Sequence, residues 1–227
     1  MQVAVVRFPG SNCEIDALRA AQAAGAEARI VWHKNTGLGD ADAVVLPGGF
    51  AYGDYLRAGA IARFSPIMEA VLSFAREGGP VLGICNGFQV LCEAGLLPGA
   101  LMHNAGQRFV SRPAQVRVEN ADTPFTAAYD AGEVFEVPIA HGEGRFVATD
   151  DTLRELEMEN RVVLRYVGEN PNGSTAAIAG IMNEAGNVVG MMPHPERVID
   201  SAVGNNRGAK VFESLALAVG LFPGGTS

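Results

Sequence analysis

The stretch Val81-Leu82-Gly83-Ile84-Cys85-Asn86-Gly87 constrains the fold of this chain more than any other. A short apolar run suited to a buried strand stops at Ile84, and a helical pattern runs over residues 87–94, so only a tight turn fits between them. At that turn stands a cysteine with a glycine two residues to either side. This is the sulfur form of the G-x-S-x-G nucleophile elbow, whose flanking positions must lack side chains. A thiol held there projects from the end of a sheet at a helix N-terminus, whose dipole and free N–H groups favour thiolate. Glycine-rich strand ends are common without any chemistry, but strand, elbow and helix in succession favour a functional Cys85.

The first half of the chain repeats the strand–helix alternation that such an elbow requires. Residues 2–8 read as a strand and Pro9-Gly10-Ser11-Asn12 as a turn. Ser11 and Glu14 match a capping box ahead of Ala17, Leu18, Ala21 and Ala24 at helical spacing, and Gly25 stands where a helix ends. Strands are expected at 28–32 and Ala43–Leu46, the second running into Pro47-Gly48-Gly49. Ser65-Pro66 reads as the N-cap and first residue of a helix through Arg76, closed by Gly78-Gly79. From about residue 100 the texture changes to strands separated by turns, at 107–118, 134–139, 145–148 and 162–167. Gly186-Asn187 lies between apolar segments 176–182 and 188–192 as in a hairpin, and 206–219 reads as a final helix. The 28 glycines and 12 prolines fall short of the ~25–30% of low-complexity chains, so the glycines have positional jobs. The expectation is one α/β domain over 1–227, with a mostly parallel central sheet, helices on both faces and an antiparallel β extension in the C-terminal half.

A nucleophilic cysteine needs a base and a group that orients the base. Met192-Pro193-His194-Pro195-Glu196 offers both. The prolines favour an extended segment, in which residues two apart project to the same side, so Glu196 is expected to orient the His194 imidazole. Alone, the stretch reads as a proline-rich surface loop; the upstream cysteine reverses that balance. An oxyanion hole would take one donor from the Asn86 N–H and a second from Gly48-Gly49, which otherwise is an ordinary strand-to-loop turn.

A net charge of −8 argues against a nucleic-acid partner. No apolar run approaches the ~18 residues of a membrane span, and the N-terminus lacks a basic signal-peptide region, so a cytoplasmic location is expected. Cys13, Cys85 and Cys92 form no C-x-x-C pair, and Cys13 and Cys92 read as small buried hydrophobes. His33, His103, His141 and His194 are dispersed, so no metal site is expected, and His33 and His103 read as core or solvated side chains. Only two lysines exist, Lys34 and Lys210, and neither sits in a phosphate-binding loop; Phe8-Pro9-Gly10-Ser11-Asn12 also lacks the spaced glycines of one.

Gly83-Ile84-Cys85-Asn86-Gly87-Phe88-Gln89 together with Pro193-His194-Pro195-Glu196 resembles the class I (triad) glutamine amidotransferases. Three further stretches narrow the likeness: Phe8 to Glu14, Gly48 to Arg57, and Pro138-Ile139-Ala140-His141-Gly142-Glu143-Gly144-Arg145. With residues 183–197 they resemble the branch of that family that serves as glutaminase subunits of phosphoribosylformylglycinamidine synthases, and the likeness runs essentially end to end. The resemblance implies Cys85 as nucleophile, His194 and Glu196 completing the triad, Gly49 and Asn86 as the oxyanion hole, and Gln89 as a glutamine contact. His141, Glu143 and Arg145 belong to the family pattern as a substrate or partner contact, or as a charged turn between strands. L-Glutamine would be hydrolysed through a thioester and its ammonia passed on for purine biosynthesis. The partners implied are a larger synthase subunit, which uses ATP and Mg, and a small third subunit; this chain itself would bind no cofactor. A glutaminase subunit of another synthase, such as those making GMP, CTP or carbamoyl phosphate, stays open, as do a stand-alone cysteine hydrolase and a non-catalytic binding module.

Overall fold

The first half of the chain builds strands that are apolar on both faces. In the computed structural model, which describes residues 1–220, β1 (Gln2–Arg7) buries Val3 to Val6 completely. β3 (Ala43–Leu46) and β4 (Val81–Ile84) are buried at every residue. Strands covered on both sides in this way belong to the middle of a parallel sheet. With β2 (Glu27–Trp32) at one edge, β2, β1, β3 and β4 lie side by side and parallel. The helices between them are α1 (Glu14–Ala23), α2 (Ile67–Arg76) and α3 (Asn86–Glu93).

The second half extends the same sheet rather than building a separate layer. In chain order it supplies β5 (Ala100–Met102), β6 (Val110–Val118), β7 (Val134–His141) and β8 (Arg145–Val147). Then come α4 (Asp150–Met158), β9 (Val162–Tyr166), β10 (Ile178–Met182), β11 (Val188–Met191) and α5 (Ala209–Ala218). The nine-stranded sheet has the order β2-β1-β3-β4-β11-β10-β9-β6-β7, while β5 and β8 pair antiparallel to each other. β11 is the hinge between the halves. It runs parallel to β4, with Met191 opposite Ile84, and antiparallel to β10 through the turn at Gly186. From β10 to β7 every pairing is antiparallel. The fold is thus α/β, with a parallel half and an antiparallel half in one sheet. Residues 221–227, the end of the domain read from the sequence, lie outside the described residues.

Three local expectations are corrected. The capping box at Ser11 is not formed: Cys13 occupies the N-cap of α1 with no side-chain cap bond, because the Ser11 hydroxyl accepts the Phe8 N–H at 3.0 Å. Glu14 turns to Arg7 instead, 3.1 Å away. Ser65 does not cap α2 either, since its hydroxyl is bonded to the Tyr52 hydroxyl at 2.9 Å and Pro66 takes the N-cap. In both cases a tertiary or turn partner outcompetes the local cap. Helix α4 has no counterpart in the sequence reading. Its signal was Thr149, which caps Thr152 N–H at 3.2 Å ahead of Asp150 and Asp151, but only Leu156 is buried, so the apolar periodicity is faint.

Candidate functional site

Cys85 sits at the C-terminal end of β4 with φ 50 and ψ −103, a left-handed backbone that a residue with a side chain adopts only under constraint. The constraint is visible on both sides. A Cβ at Gly87 would lie 1.9 Å from the Leu46 carbonyl oxygen, and one at Gly83 would lie 2.5 Å from Leu91 and 2.7 Å from the Gly87 backbone. Only glycine fits at either position, which lets α3 start directly over the end of β3. The Cys85 N–H is held by the Met191 carbonyl at 2.7 Å, and its sulfur points towards the Ala140 carbonyl, 3.8 Å away.

The register of the sheet brings the remaining groups to this point. Because Met191 lies opposite Ile84 in adjacent parallel strands, the segment after β11 leaves the sheet at the same end as the elbow. His194 follows three residues later and is anchored by its N–H to the Pro138 carbonyl at 2.9 Å. Its Nδ1 donates to Glu196 Oε1 at 2.7 Å, both side chains being buried. The expected extended segment is not what joins them: Pro195–Arg197 is a short 3-10 turn, which the fixed φ of a proline suits as well as an extended chain. His194 Nε2 makes no hydrogen bond. Burial alone would lower the His194 pKa, but Glu196, then Cys85, with Cys13 adding to them, hold it well above its ordinary value. An imidazolium between a carboxylate and two cysteine sulfurs follows.

On the other side of β4, β3 ends at Leu46 and leads into Gly48 and Gly49. Gly49 adopts φ 144, and a Cβ there would fall 2.8 Å from the backbone of residues 10–12. Gly49 and Cys85 line one cavity of about 140 Å³ with Phe50, Asp54, Gln89, His103, Phe109, Ala140, His141, Gly142 and Glu143. Asn86 opens α3 as its first residue, and its side chain accepts the Ala51 N–H at 3.0 Å while donating to Gln89 Oε1 at 2.9 Å and Asp54 Oδ1 at 3.2 Å. Gln89 in turn donates to the Glu143 carbonyl at 2.6 Å. A larger cavity of about 660 Å³, beside Arg76, Leu96 and Arg161, contains none of the candidate catalytic or substrate-binding residues.

The stretch from His141 to Gly144 forms one wall. The buried His141 ring meets Asn104 Oδ1 at 3.2 Å, and Asn104 also accepts the Gly144 N–H at 3.0 Å. A Cβ at Gly144 would strike the His141 ring at 2.3 Å, which explains the glycine. Burial, then the charge of His194, pushes the His141 pKa down to about 4, so it is neutral. Glu143 reaches across to the Ala58 N–H at 3.2 Å and faces His103 at 3.7 Å. Arg145 stands on β8 and is not among the residues lining the cavity. Sequence reasoning gave no role to Asp54, whose pKa is pushed up to about 6, by burial first and then by Glu143, against the hydrogen bond from Asn86. It also gave none to Asn104. Cys13 is buried as expected, but as a polar partner rather than a mere hydrophobe, since Arg197 Nη2 donates to its sulfur at 2.9 Å. Among the described residues, Cys13, His194 and Glu196 are the one trio of potential metal ligands, their atoms within 4.8 Å of one another. That carboxylate is already engaged by His194 Nδ1, and Arg197 would oppose a second cation beside the sulfur.

A cysteine on a strained strand–helix elbow beside a buried His–Glu pair, in a sheet of this order, defines a glutamine amidotransferase-type α/β protein. The chain belongs to that family: residues 1–216 match the CobB/CobQ-like glutamine amidotransferase domain. Among its relatives, phosphoribosylformylglycinamidine synthase subunit PurQ of Rubrobacter xylanophilus is 60% identical over 215 residues, covering 95% of this chain and 97% of the relative. The subunit of the same name from Salinibacter ruber is 56% identical over 220 residues, covering 93% and 94%. A chain solved in the structure of PurLQS from Thermotoga maritima superposes with a TM-score of 0.89 at 45% identity, over 96% of this chain and 98% of that one. Another glutamine amidotransferase from Thermotoga maritima, 15% identical with a TM-score of 0.62 over 97% and 98%, shares the fold alone.

Proposed function

We propose that this chain is the glutaminase subunit of phosphoribosylformylglycinamidine synthase, with Cys85 as nucleophile. The observation that carries the mechanism is the convergence of Cys85 and the His194–Glu196 pair at the ends of the adjacent parallel strands β4 and β11. The Cys85 thiolate attacks the side-chain amide carbon of glutamine, and the developing oxyanion is met by the N–H groups of Gly49 and Asn86. Collapse of the tetrahedral intermediate breaks the C–N bond, with His194 giving its proton to the departing nitrogen, so ammonia leaves and a glutamyl thioester remains. His194, now neutral, takes a proton from water as the water attacks the thioester, releasing glutamate and restoring the thiolate–imidazolium pair. Glu196 keeps Nδ1 protonated throughout and steadies the cation.

The cavity beside Cys85 reads the far end of the substrate. Glutamine carries an α-ammonium, and Asp54 and Glu143 are the carboxylates that face this cavity. Burial first and then repulsion from Glu143 raise the Asp54 pKa, and binding a cation between the two carboxylates relieves that repulsion. Gln89, fixed by Asn86 and the Glu143 carbonyl, completes the wall as the glutamine contact implied by its motif. The chain would hold no cofactor of its own: ATP and Mg would serve a larger synthase subunit, and a small third subunit would complete the assembly. The relative from Thermotoga maritima was solved as PurLQS, which supports such an assembly. A cytoplasmic site of action goes with this reading. No described helix is long and apolar enough to cross a membrane.

Replacing Cys85 by Ala tests the reading. In the assembled synthase, glutamine-dependent formation of the amidine should be lost while synthesis from added ammonium salt continues. Undiminished use of glutamine by the variant would refute the assignment.

A further inference from the structure

His194 is steered by a single hydrogen bond, from Nδ1 to Glu196, while Nε2, the atom that must face Cys85, has no hydrogen-bond partner. One bond at one end of an imidazole fixes that end only, and where the other end points depends on what packs against the rest of the buried ring. A second contact must therefore set where Nε2 points, and Cys13 is placed to make it. A Cβ at Gly48 would lie 2.7 Å from His194 Cε1, 3.3 Å from His194 Nδ1 and 3.2 Å from Cys13 Sγ, so the Cε1–Nδ1 edge of the ring and the sulfur converge on the same side of a residue that has no side chain. Cys13 is fully buried and held by three neighbours. Arg197 Nη2 donates to its sulfur at 2.9 Å, Asn12 Oδ1 lies 3.0 Å from the sulfur, and the Cys13 N–H is bonded to the Gly48 carbonyl at 3.3 Å. Arg197 closes the same 3-10 turn that carries Glu196, so the side chain that holds Nδ1 and the side chain that holds the Cys13 sulfur are linked through one short backbone segment.

We propose that Cys13, held by Arg197, is a positioning residue that packs beside the Cε1–Nδ1 edge of the His194 ring, next to its bond to Glu196, and so aims Nε2 at Cys85. The proposal rests on the glutaminase reading of this site and assigns a job to a thiol that the reaction itself does not consume. The charged and titratable groups around the ring are Glu196, Cys85, Cys13, Arg197 and the neutral His141, and Cys13 is among those that support the charged form of His194.

The test uses the complete synthase assembly carrying Cys13→Ala, Cys13→Ser or Arg197→Met. In Cys13→Ala, kcat with glutamine should fall about tenfold while KM changes less than about twofold, the pattern of a misaimed base rather than a lost binding contact. The alkaline limb of the kcat profile should move to lower pH, because one support of the imidazolium is gone. Cys13→Ser, which keeps an acceptor for Arg197, should recover part of the rate. Arg197→Met, which leaves the thiol but frees it, should lower kcat with KM little changed and also serves if Cys13→Ala does not fold. Synthesis from ammonium salt should stay at the wild-type rate in every variant. An unshifted pH profile with wild-type kcat in Cys13→Ala would overturn the proposal, and so would a loss of the ammonium-dependent rate in parallel. If Cys85→Ala were to keep glutamine-dependent synthesis, the glutaminase reading would fail instead, a separate result from any obtained with Cys13.

Discussion

At the scale of single residues, the site is a set of charges placed to be used one at a time. His194 is charged at rest because Glu196 and then the cysteine sulfurs outweigh burial, whereas His141 is neutral with a pKa of about 4 because burial, then the charge of His194, lowers it. Asp54 lies between these extremes. Its folded pKa of about 6 exceeds the ordinary value of 3.8, so its ionised form is disfavoured in the free protein. Two consequences of sign follow. Asp54 binds a proton in the folded chain that it would release when unfolded, so its contribution to stability falls as pH rises from about 4 to 6. Binding of the α-ammonium of glutamine needs the ionised form, so KM for glutamine should climb as pH drops below about 6. In Asp54→Asn that dependence should vanish and KM be high at every pH, as steady-state assays in the assembly would show. A variant with the wild-type pH dependence would remove Asp54 from substrate binding. The sequence offered Asp54 only as part of a familiar stretch, because nothing local to Tyr52-Gly53-Asp54 shows that Glu143 and Asn86 will meet it.

At the scale of elements, the elbow is the one piece of the site that local chemistry specifies outright. Short apolar strand, glycine, cysteine, glycine and helix leave no second arrangement, and the strand Val81–Ile84 falls where the apolar run predicts. The steric cost of relaxing this is concentrated at Gly87, where an added methyl would overlap the Leu46 carbonyl at 1.9 Å. Gly87→Ala should therefore cost ~1–3 kcal/mol or more in stability, since backbone rather than a flexible side chain must move. A lowered urea midpoint with an unchanged slope would report it, and an unchanged midpoint would mean that α3 can shift away freely. The capping serines show the opposite limit. Ser11 and Ser65 satisfy every local rule for an N-cap, yet each hydroxyl is claimed elsewhere, by Phe8 N–H and by Tyr52. Cap propensity is worth about 1 kcal/mol, well within what a competing turn or tertiary partner supplies.

At the scale of the whole molecule, the site has an exposed rim attached to its working parts. Tyr52, Asp54 and Leu56 all have positive φ, and Ala51 and Ala58 are tied to Asn86 and Glu143, so the loop is held in a strained path over the cavity. Tyr55 and Leu56 project from it with 71% and 81% of their surface exposed, immediately beside Asp54. A synthase subunit that covered them would move Asp54 with them, and on that reading glutamine hydrolysis should be slow in the isolated chain and faster on assembly. Leu56→Asp should keep the slow basal rate and lose the stimulation; full stimulation of that variant would place the coupling elsewhere. The sequence alone determined the elements that are written in consecutive residues: the buried strands of the parallel half and the elbow. Periodicity and steric exclusion act over a few neighbours, so these needed nothing distant. Only the tertiary structure decided that β4 and β11 lie side by side, which brings Cys85 to His194, that Asn104 holds the His141 turn, and that Cys13 meets Arg197. Those contacts depend on strand order and register, and register is set by the packing of the whole sheet rather than by any one segment.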